Sequence, residues 1–391
     1  MICLFRRFAI TMMLVQHCVH SFHLRSIRPT TVSSRMLLDR SSKTALWRLF
    51  SAVSDGVEKK RVVFLGTPEV AATSLKKLYE VSQEDGSPFE IVSVITQPPK
   101  RRRRKGKLEP SPVGKVAEEL ELEVICPEKA KDADFLDNLE MNIKPDLCIT
   151  AAYGQYLPKR FLAAPTYGTV NIHPSLLPRW RGASPVQRSL EAGDNPVGVT
   201  VLFTVSKMDA GPVISQKEEK VDDNDTATNV LPHLFDIGTE LLVDAMPDLL
   251  SGKITMNSAT TQDEDSVVQA AMIDSGEAEC KPWEESATTI HNKLRGFSMW
   301  PGAFVYLEVG EGMEVTKFKL LETQVLDETA DPTDAVVPGP SKKDGLRLVC
   351  ADGSVLEINR LQPATRKPMD ALSFVNGLNG KTVRWVKTPS E

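Results

Sequence analysis

No two of the six cysteines, at positions 3, 18, 126, 148, 280 and 350, form a C-x-x-C pair. Neither a zinc cluster nor a disulfide framework is therefore expected, and scattered thiols of this kind fit a reducing compartment. Long apolar runs are also missing. The uncharged stretch Phe8 to Val19 falls short of the roughly 20 residues that cross a bilayer, so no membrane span is expected. The first strand signal ends in Gly66-Thr-Pro-Glu-Val-Ala71 rather than G-x-G-x-x-G, which removes the phosphate-cradling turn of nicotinamide and flavin enzymes. No internal repeat is present. Acid is nearly absent from the first 54 residues, where Asp39 alone stands against eight Lys/Arg among twelve Ser/Thr. That composition predicts an organelle transit peptide over 1–54, to be left out of fold reasoning. The mitochondrial matrix is the expected address. A plastid is the alternative, because Phe8 to Val19 also suits a signal-peptide core and Ser21-Phe22 resembles the junction of two-part plastid leaders. The leader carries a net +7 in a chain of −5, which leaves −12 for the remainder. Nucleic-acid contact by such a protein must come from a local patch.

What is present is a chain of 391 residues, 41% hydrophobic, enough for a large domain and a smaller one. Arg61 to Gly66 reads as a buried strand, and Thr67 as the N-cap of a helix with Pro68 at its first position. Strand and helix signals then alternate: strands at 91–96, 122–126, 146–151, 168–172 and 197–205, and helices at 113–120 and roughly 226–250. Alternation at this spacing predicts an α/β fold with a Rossmann-like, doubly wound, mostly parallel sheet over 60–251, its site at the carboxyl ends of the strands. Residues 252–285 turn polar and acidic without a strong period and are expected to connect two domains. Over 286–391, short apolar runs separated by Gly, Pro and Asp predict a small C-terminal β-barrel.

The chemistry concentrates in Val170 to Gly182. Asn171 and His173 alternate at a strand end and so share a face. Pro174 and Pro178 stop the strand and stiffen a loop whose Leu176 and Leu177 can wall a pocket. A second polar element, Lys207-Met-Asp-Ala-Gly-Pro212, puts Asp209 on a tight turn beside Gly211. Asn, His and Asp form a proton-transfer and oxyanion set suited to acyl transfer onto an amine. Asn171 offers an amide donor to the developing oxyanion, His173 can stabilise it or relay a proton, and Asp209, if partly desolvated, suits a proton shuttle. Taken singly, a His at a strand end and an Asp in a turn are more often satisfied polar residues than catalysts. The constellation is the stronger signal.

Asn171-Ile-His173-Pro-Ser-Leu-Leu-Pro178 with Asp209 downstream resembles the signature of the folate-dependent formyltransferases, and Arg179 to Leu190 is similar to their methionyl-tRNA branch. Leu65 to Pro68, Thr96 to Pro98, Pro110 to Val113, Ala152 to Pro158, Phe297 to Pro301 and Leu361 to Ala364 follow the family order, so the resemblance covers about residues 60 to 387. It implies catalytic Asn171, His173 and Asp209, and a folate site bordered by Ser175, Leu176, Leu177 and Pro178 with Tyr153 and Gly154. The co-substrate implied is 10-formyltetrahydrofolate, without a metal. The partner implied is initiator methionyl-tRNA, formylated for organellar translation initiation by a monomeric two-domain enzyme whose C-terminal β-barrel over 286–391 is OB-like and binds tRNA.

The run Lys100-Arg-Arg-Arg-Arg-Lys-Gly-Lys107 places seven cations in eight residues, which must be solvated or pressed against polyphosphate. On its own such a run is as often a localisation signal or heparin-like patch as an RNA contact. In its family position it resembles the inserted loop that touches the tRNA acceptor end, which implies tRNA contacts from Arg101, Arg102, Arg103, Arg104, Lys105 and Lys107. Arginines replace the family's Gly and Pro there. The carboxyl domain is not basic overall, with fourteen Lys/Arg against fifteen Asp/Glu from Lys281 onward. Competing readings are a formyltransferase or formyltetrahydrofolate hydrolase acting on a small molecule, and a tRNA-binding module without catalysis.

Overall fold

The computed structural model describes residues 58–101, 106–341 and 343–387. The leader expected at 1–54 lies outside them. β1 (Lys60–Gly66) is buried from Val62 onward, as a strand covered on both faces should be. A Cβ on Gly66 would fall 2.7 Å from that of Ala71, so only glycine lets α1 (Glu69–Ser82) start this close. Thr67 does not cap that helix as the sequence predicts. Pro68 takes the cap position without a side-chain bond, and the Thr67 hydroxyl donates to the Tyr153 carbonyl at 2.8 Å, a distant partner displacing the local one.

The chain continues through β2 (Phe89–Ile95), a short ribbon of β3 (Lys100–Arg101) and β4 (Leu108–Glu109), α2 (Pro112–Glu119), β5 (Val124–Ile125), α3 (Ala133–Asn138), β6 (Leu147–Ala151) and α4 (Lys159–Leu162). β7 (Thr169–His173), β8 (Arg179–Gly182), α5 (Pro185–Glu191), β9 (Val197–Phe203), β10 (Val213–Glu219) and the long α6 (Ala227–Leu250) follow. Seven strands form one sheet in the order β10-β9-β7-β6-β1-β2-β5. β5, β2, β1, β6 and β7 run parallel, and β9 and β10 form an antiparallel edge. The expected doubly wound, mostly parallel sheet is present. All seven residues of β9 are buried, each such Val or Leu contributing about 1.5–3 kcal/mol by leaving water. Val63 and Leu65 face a cluster with Phe135, Leu136 and Phe161 of α3 and α4. α1 and α6 are joined by a 2.8 Å hydrogen bond from the Thr239 hydroxyl to Ser74 Oγ.

Beyond a three-residue strand, β11 (Val268–Ala270), come α7 (Ala287–Phe297), β12 (Phe304–Val309), β13 (Val315–Thr329), β14 (Val336–Pro338), β15 (Leu346–Val349), β16 (Ser354–Pro363), β17 (Met369–Asp370), α8 (Ala371–Gly377) and β18 (Val383–Trp385). The antiparallel order is β14-β15-β16-β13-β12-β18. Its ends meet where Ala335 bridges Arg384 and the Trp385 N–H donates to Asp334 O at 2.9 Å, closing a small barrel as expected. Phe318, Leu320, Leu356 and Ile358 fill it, with Ile290 and Leu294 of α7 and Phe374 of α8 as plugs.

The segment read as a connector is laid over the amino-terminal domain. Thr260 exchanges two backbone hydrogen bonds with Val213, at 2.7 and 3.0 Å, and β11 pairs in parallel with β8. α7 packs against α5 so tightly that a Cβ on Gly296 would lie 2.5 Å from Gln187 O. The buried His291 completes the junction, its Nε2 2.8 Å from Asp223 O and its Nδ1 2.9 Å from Thr323 Oγ1. Burial holds the His291 pKa below its ordinary value. Among the described residues no helix is long and apolar enough to cross a membrane.

Candidate active site

β7 lies inside the sheet, between the parallel β6 and the antiparallel β9. Asn171 pairs with Thr150 of β6 on one side and Leu202 of β9 on the other. The Thr150 hydroxyl donates to Asn171 Oδ1 at 2.8 Å, which orients the amide and leaves its NH2 group available as a donor. His173 is buried, and its Nε2 lies 2.9 Å from the Trp180 carbonyl. A carbonyl only accepts, so Nε2 carries the hydrogen and Nδ1 of the neutral ring is bare. That Nδ1 faces Asp209 Oδ1 at 3.7 Å, too far for a hydrogen bond between them. The other Asp209 oxygen, Oδ2, accepts the Gly182 N–H at 2.9 Å. With Nε2 turned to the Trp180 carbonyl and Oδ2 to the Gly182 N–H, His173 Nδ1 and Asp209 Oδ1 are left side by side, where one donor approaching from the open side can reach both.

The backbone around this cluster is held in conformations that L-residues rarely adopt. Asp209, Trp180 and Ala152 have φ of 49°, 67° and 47°, and such strain gathers where a fold over-determines functional groups. Gly182, at φ 134°, lies so near β11 that a Cβ would sit 2.5 Å from Ala270 O.

The Ser175–Pro178 loop is pinned to the sheet rather than mobile. Ser175 Oγ donates to Arg179 O at 2.8 Å, Thr200 Oγ1 accepts the Leu177 N–H at 3.2 Å, and Gln216 Nε2 donates to Leu177 O at 2.7 Å. Leu177 is buried and Leu176 half-buried. Tyr153 and Gly154 follow β6, next to β7. The Tyr153 carbonyl collects Thr67 Oγ1 and, at 3.1 Å, Gln97 Nε2. Its ring is 4% exposed, its hydroxyl has no protein partner, and burial raises its pKa. The structure therefore places Tyr153 in the wall rather than on the surface. A separate cavity lies behind the loop, lined by Leu176, Arg179, Trp180, Asp194, Asn195 and Gly198, and none of Asn171, His173 or Asp209 reaches it.

The basic run leaves the sheet at the carboxyl end of β2, three strands from β7 and hence about 14 Å across at ordinary strand spacing. Lys100 opposes Glu109 and Arg101 opposes Leu108 in its ribbon, and Arg101 and Lys107 are exposed. Arg102, Arg103, Arg104 and Lys105 lie outside the described residues. Among the described residues no group of three His, Cys, Asp or Glu is arranged to hold a metal ion. The thiols of Cys280 and Cys350 are pushed up by burial to about 12 and stay protonated at neutral pH.

Sequence reasoning missed Thr150, because its partnership with Asn171 crosses strands 21 positions apart. It also missed the connector residues beside Asp209, which belong to no periodic pattern.

Residues 60–246 match the family described as "Formyl transferase", and residues 277–379 match "Formyl transferase, C-terminal domain". A methionyl-tRNA formyltransferase of Listeria monocytogenes is 38% identical over 330 residues, 83% of this chain and 99% of that protein. Among solved structures, HypX of Aquifex aeolicus in complex with tetrahydrofolic acid aligns with a TM-score of 0.53 at 16% identity, over 83% of this chain and 48% of that longer one. An N-formyltransferase of Helicobacter canadensis, in complex with folinic acid and dTDP-3-aminofucose, aligns with a TM-score of 0.53 at 15% identity, over 77% of this chain and 99% of its own. Likeness at these identities carries the fold.

Proposed function

The chain belongs to the methionyl-tRNA formyltransferase family, and from that premise we propose that Asn171, His173 and Asp209 carry its chemistry. The reaction transfers the formyl group of 10-formyltetrahydrofolate to the amino group of methionine on initiator tRNA. A neutral amine attacks the formyl carbon, forming the new C–N bond and a tetrahedral oxyanion. Asn171 Nδ2 donates to that oxyanion, since Thr150 has already fixed its Oδ1. The ammonium formed by the attack then loses a proton to Asp209 Oδ1, which stands beside His173 Nδ1, and the C–N10 bond breaks as that proton is passed on to N10 of the departing tetrahydrofolate. The single observation that carries this assignment is the 3.7 Å approach of two bare acceptor atoms whose other sides are committed to Gly182 and Trp180.

The folate borders the Ser175–Pro178 loop with Tyr153 and Gly154, on the loops that follow the two strands presenting Asn171 and Thr150. The tRNA acceptor end meets the basic run Arg101 to Lys105 with Lys107, which comes after β2 in the chain. The protein acts as a monomer in the mitochondrial matrix, with a plastid as the alternative, on the strength of its acid-poor, arginine-rich first 54 residues. A fusion of residues 1–57 to a fluorescent reporter tests the address, and a cytosolic signal contradicts it.

The activity is tested by formyl transfer to charged initiator tRNA beside uncharged tRNA, elongator methionyl-tRNA and a no-acceptor control. Product on the charged initiator alone is expected. Formate release without a tRNA product contradicts the substrate and leaves the site chemistry standing.

A further inference from the structure

Gln262 sits in the segment between the two family domains, 7% exposed, and aims one amide nitrogen at two carbonyls of a single turn. Its Nε2 donates to Asp209 O at 2.8 Å and to Gly211 O at 2.7 Å. That turn does not hold itself easily. Asp209 is left-handed, and Gly211 lies so tight that a Cβ would fall 1.7 Å from Phe203 O.

The other end of the same amide is anchored as well. Gln262 Oε1 accepts from Arg181 Nε at 3.0 Å, and the Arg181 side chain is 2% exposed. Arg181 is bonded through the chain to Gly182, whose N–H holds Asp209 Oδ2. A ring results: the Asp209 carboxylate, Gly182, Arg181, Gln262 and back to the Asp209 carbonyl. Glu264 extends it, taking Arg181 on one oxygen at 3.0 Å and Lys207 on the other, and Arg181 followed by Lys207 holds its carboxyl down at about 2. The backbone pairs of Thr260 with Val213 and of β11 with β8 lock the ring from either side.

We propose that Gln262 is a positioning residue for formyl transfer. It acts through Asp209, fixing where Asp209 Oδ1 stands relative to His173 Nδ1 and hence the line along which the amine's proton is accepted. The segment between the domains is thereby part of the catalytic scaffold. The inference rests on the reading of Asp209 as a proton acceptor.

The test is steady-state kinetics of the full chain for wild type, Gln262→Glu, Gln262→Met and Asp209→Asn, with Tm measured on each. Gln262→Glu keeps its length and the acceptor for Arg181 but loses the N–H donors and faces two carbonyls with a carboxylate. Its kcat should fall about a hundredfold, the cost of a displacement near 1 Å, and the Tm should fall because two carbonyls lose their donor, while KM for folate and tRNA stays near wild type. Gln262→Met removes all three hydrogen bonds, so the same kcat loss should come with a still lower Tm, because the Arg181 Nε is also left buried without its acceptor. A Gln262→Glu protein with wild-type kcat, beside an inactive Asp209→Asn, overturns this inference alone, as does a loss of activity that lies in a raised KM for folate and tRNA with kcat unchanged. A fully active Asp209→Asn overturns the acceptor role and the inference with it. A wild type that makes no formylmethionyl-tRNA overturns the functional reading beneath both.

Discussion

The two domains use polar side chains in opposite ways. At the carboxyl ends of the amino-terminal sheet they are few, sunk among apolar strands and individually held: Asn171 by Thr150, His173 by Trp180, and Asp209 by Gly182 and Gln262. On the barrel they are many and matched with one another in pairs of opposite charge. Arg347 meets Glu328 at 2.7 Å, Arg384 meets Glu308, and Lys317 lies 3.3 Å over the Phe304 ring with its pKa lowered by desolvation. A group that must meet a reacting atom needs its angle fixed. A group that meets a phosphate backbone needs only its charge in the right region. Substitutions at the carboxyl ends of the sheet strands should therefore give steep, salt-independent losses of turnover, and those of cations proposed to meet tRNA graded, salt-dependent losses of affinity.

The sharpest break in that contrast is Asp209→Asn, which should lower kcat by about 10²–10⁴-fold, the range for a displaced acid–base group. Next comes Asn171→Ala, with an expected loss of about 10²–10³-fold in kcat for one missing oxyanion donor, read in single-turnover formyl transfer. Replacing Arg101 to Arg104 with serine should act on the other axis. Its kcat/KM for tRNA should fall while the slope of log kcat/KM against log salt shrinks by about one for each lost phosphate contact. An unchanged slope removes the ribbon from the tRNA interface. The smallest effect belongs to the junction. The His291 pKa is lowered in the folded protein, so the unfolded chain takes up the proton first as pH falls below 6.5, and folding loses stability there. Between pH 7.5 and 5.5 the Tm of wild type should drop more than that of His291→Gln. Parallel drops contradict the assignment.

Legibility followed the same division. The sheet, the barrel and the Asn171, His173 and Asp209 positions are written in local pattern: apolar runs closed by Gly or Pro, an i, i+2 pair at a strand end, and an Asp-Ala-Gly turn. What the sequence did not yield is what depends on residues far apart. Thr67 reads as a helix cap until the Tyr153 carbonyl, 86 positions on, claims its hydroxyl. Gln262 reads as one more polar residue in an aperiodic stretch until the fold sets it 53 positions back, against Asp209. β11 pairs over only three residues, too few to leave a period. The near balance of basic and acidic residues in the carboxyl domain resolves in part into pairs, Arg347 with Glu328 and Arg384 with Glu308. Their partners were visible in composition but not in order.

The most direct test of the account is to measure binding and chemistry on the same samples of wild type and Asp209→Asn: equilibrium binding of methionyl-tRNA and of a folate, then a single turnover of formyl transfer. The account predicts unchanged binding of both ligands and a transfer rate lower by at least about a hundredfold in the variant. Transfer at the wild-type rate, with both ligands bound, would contradict it.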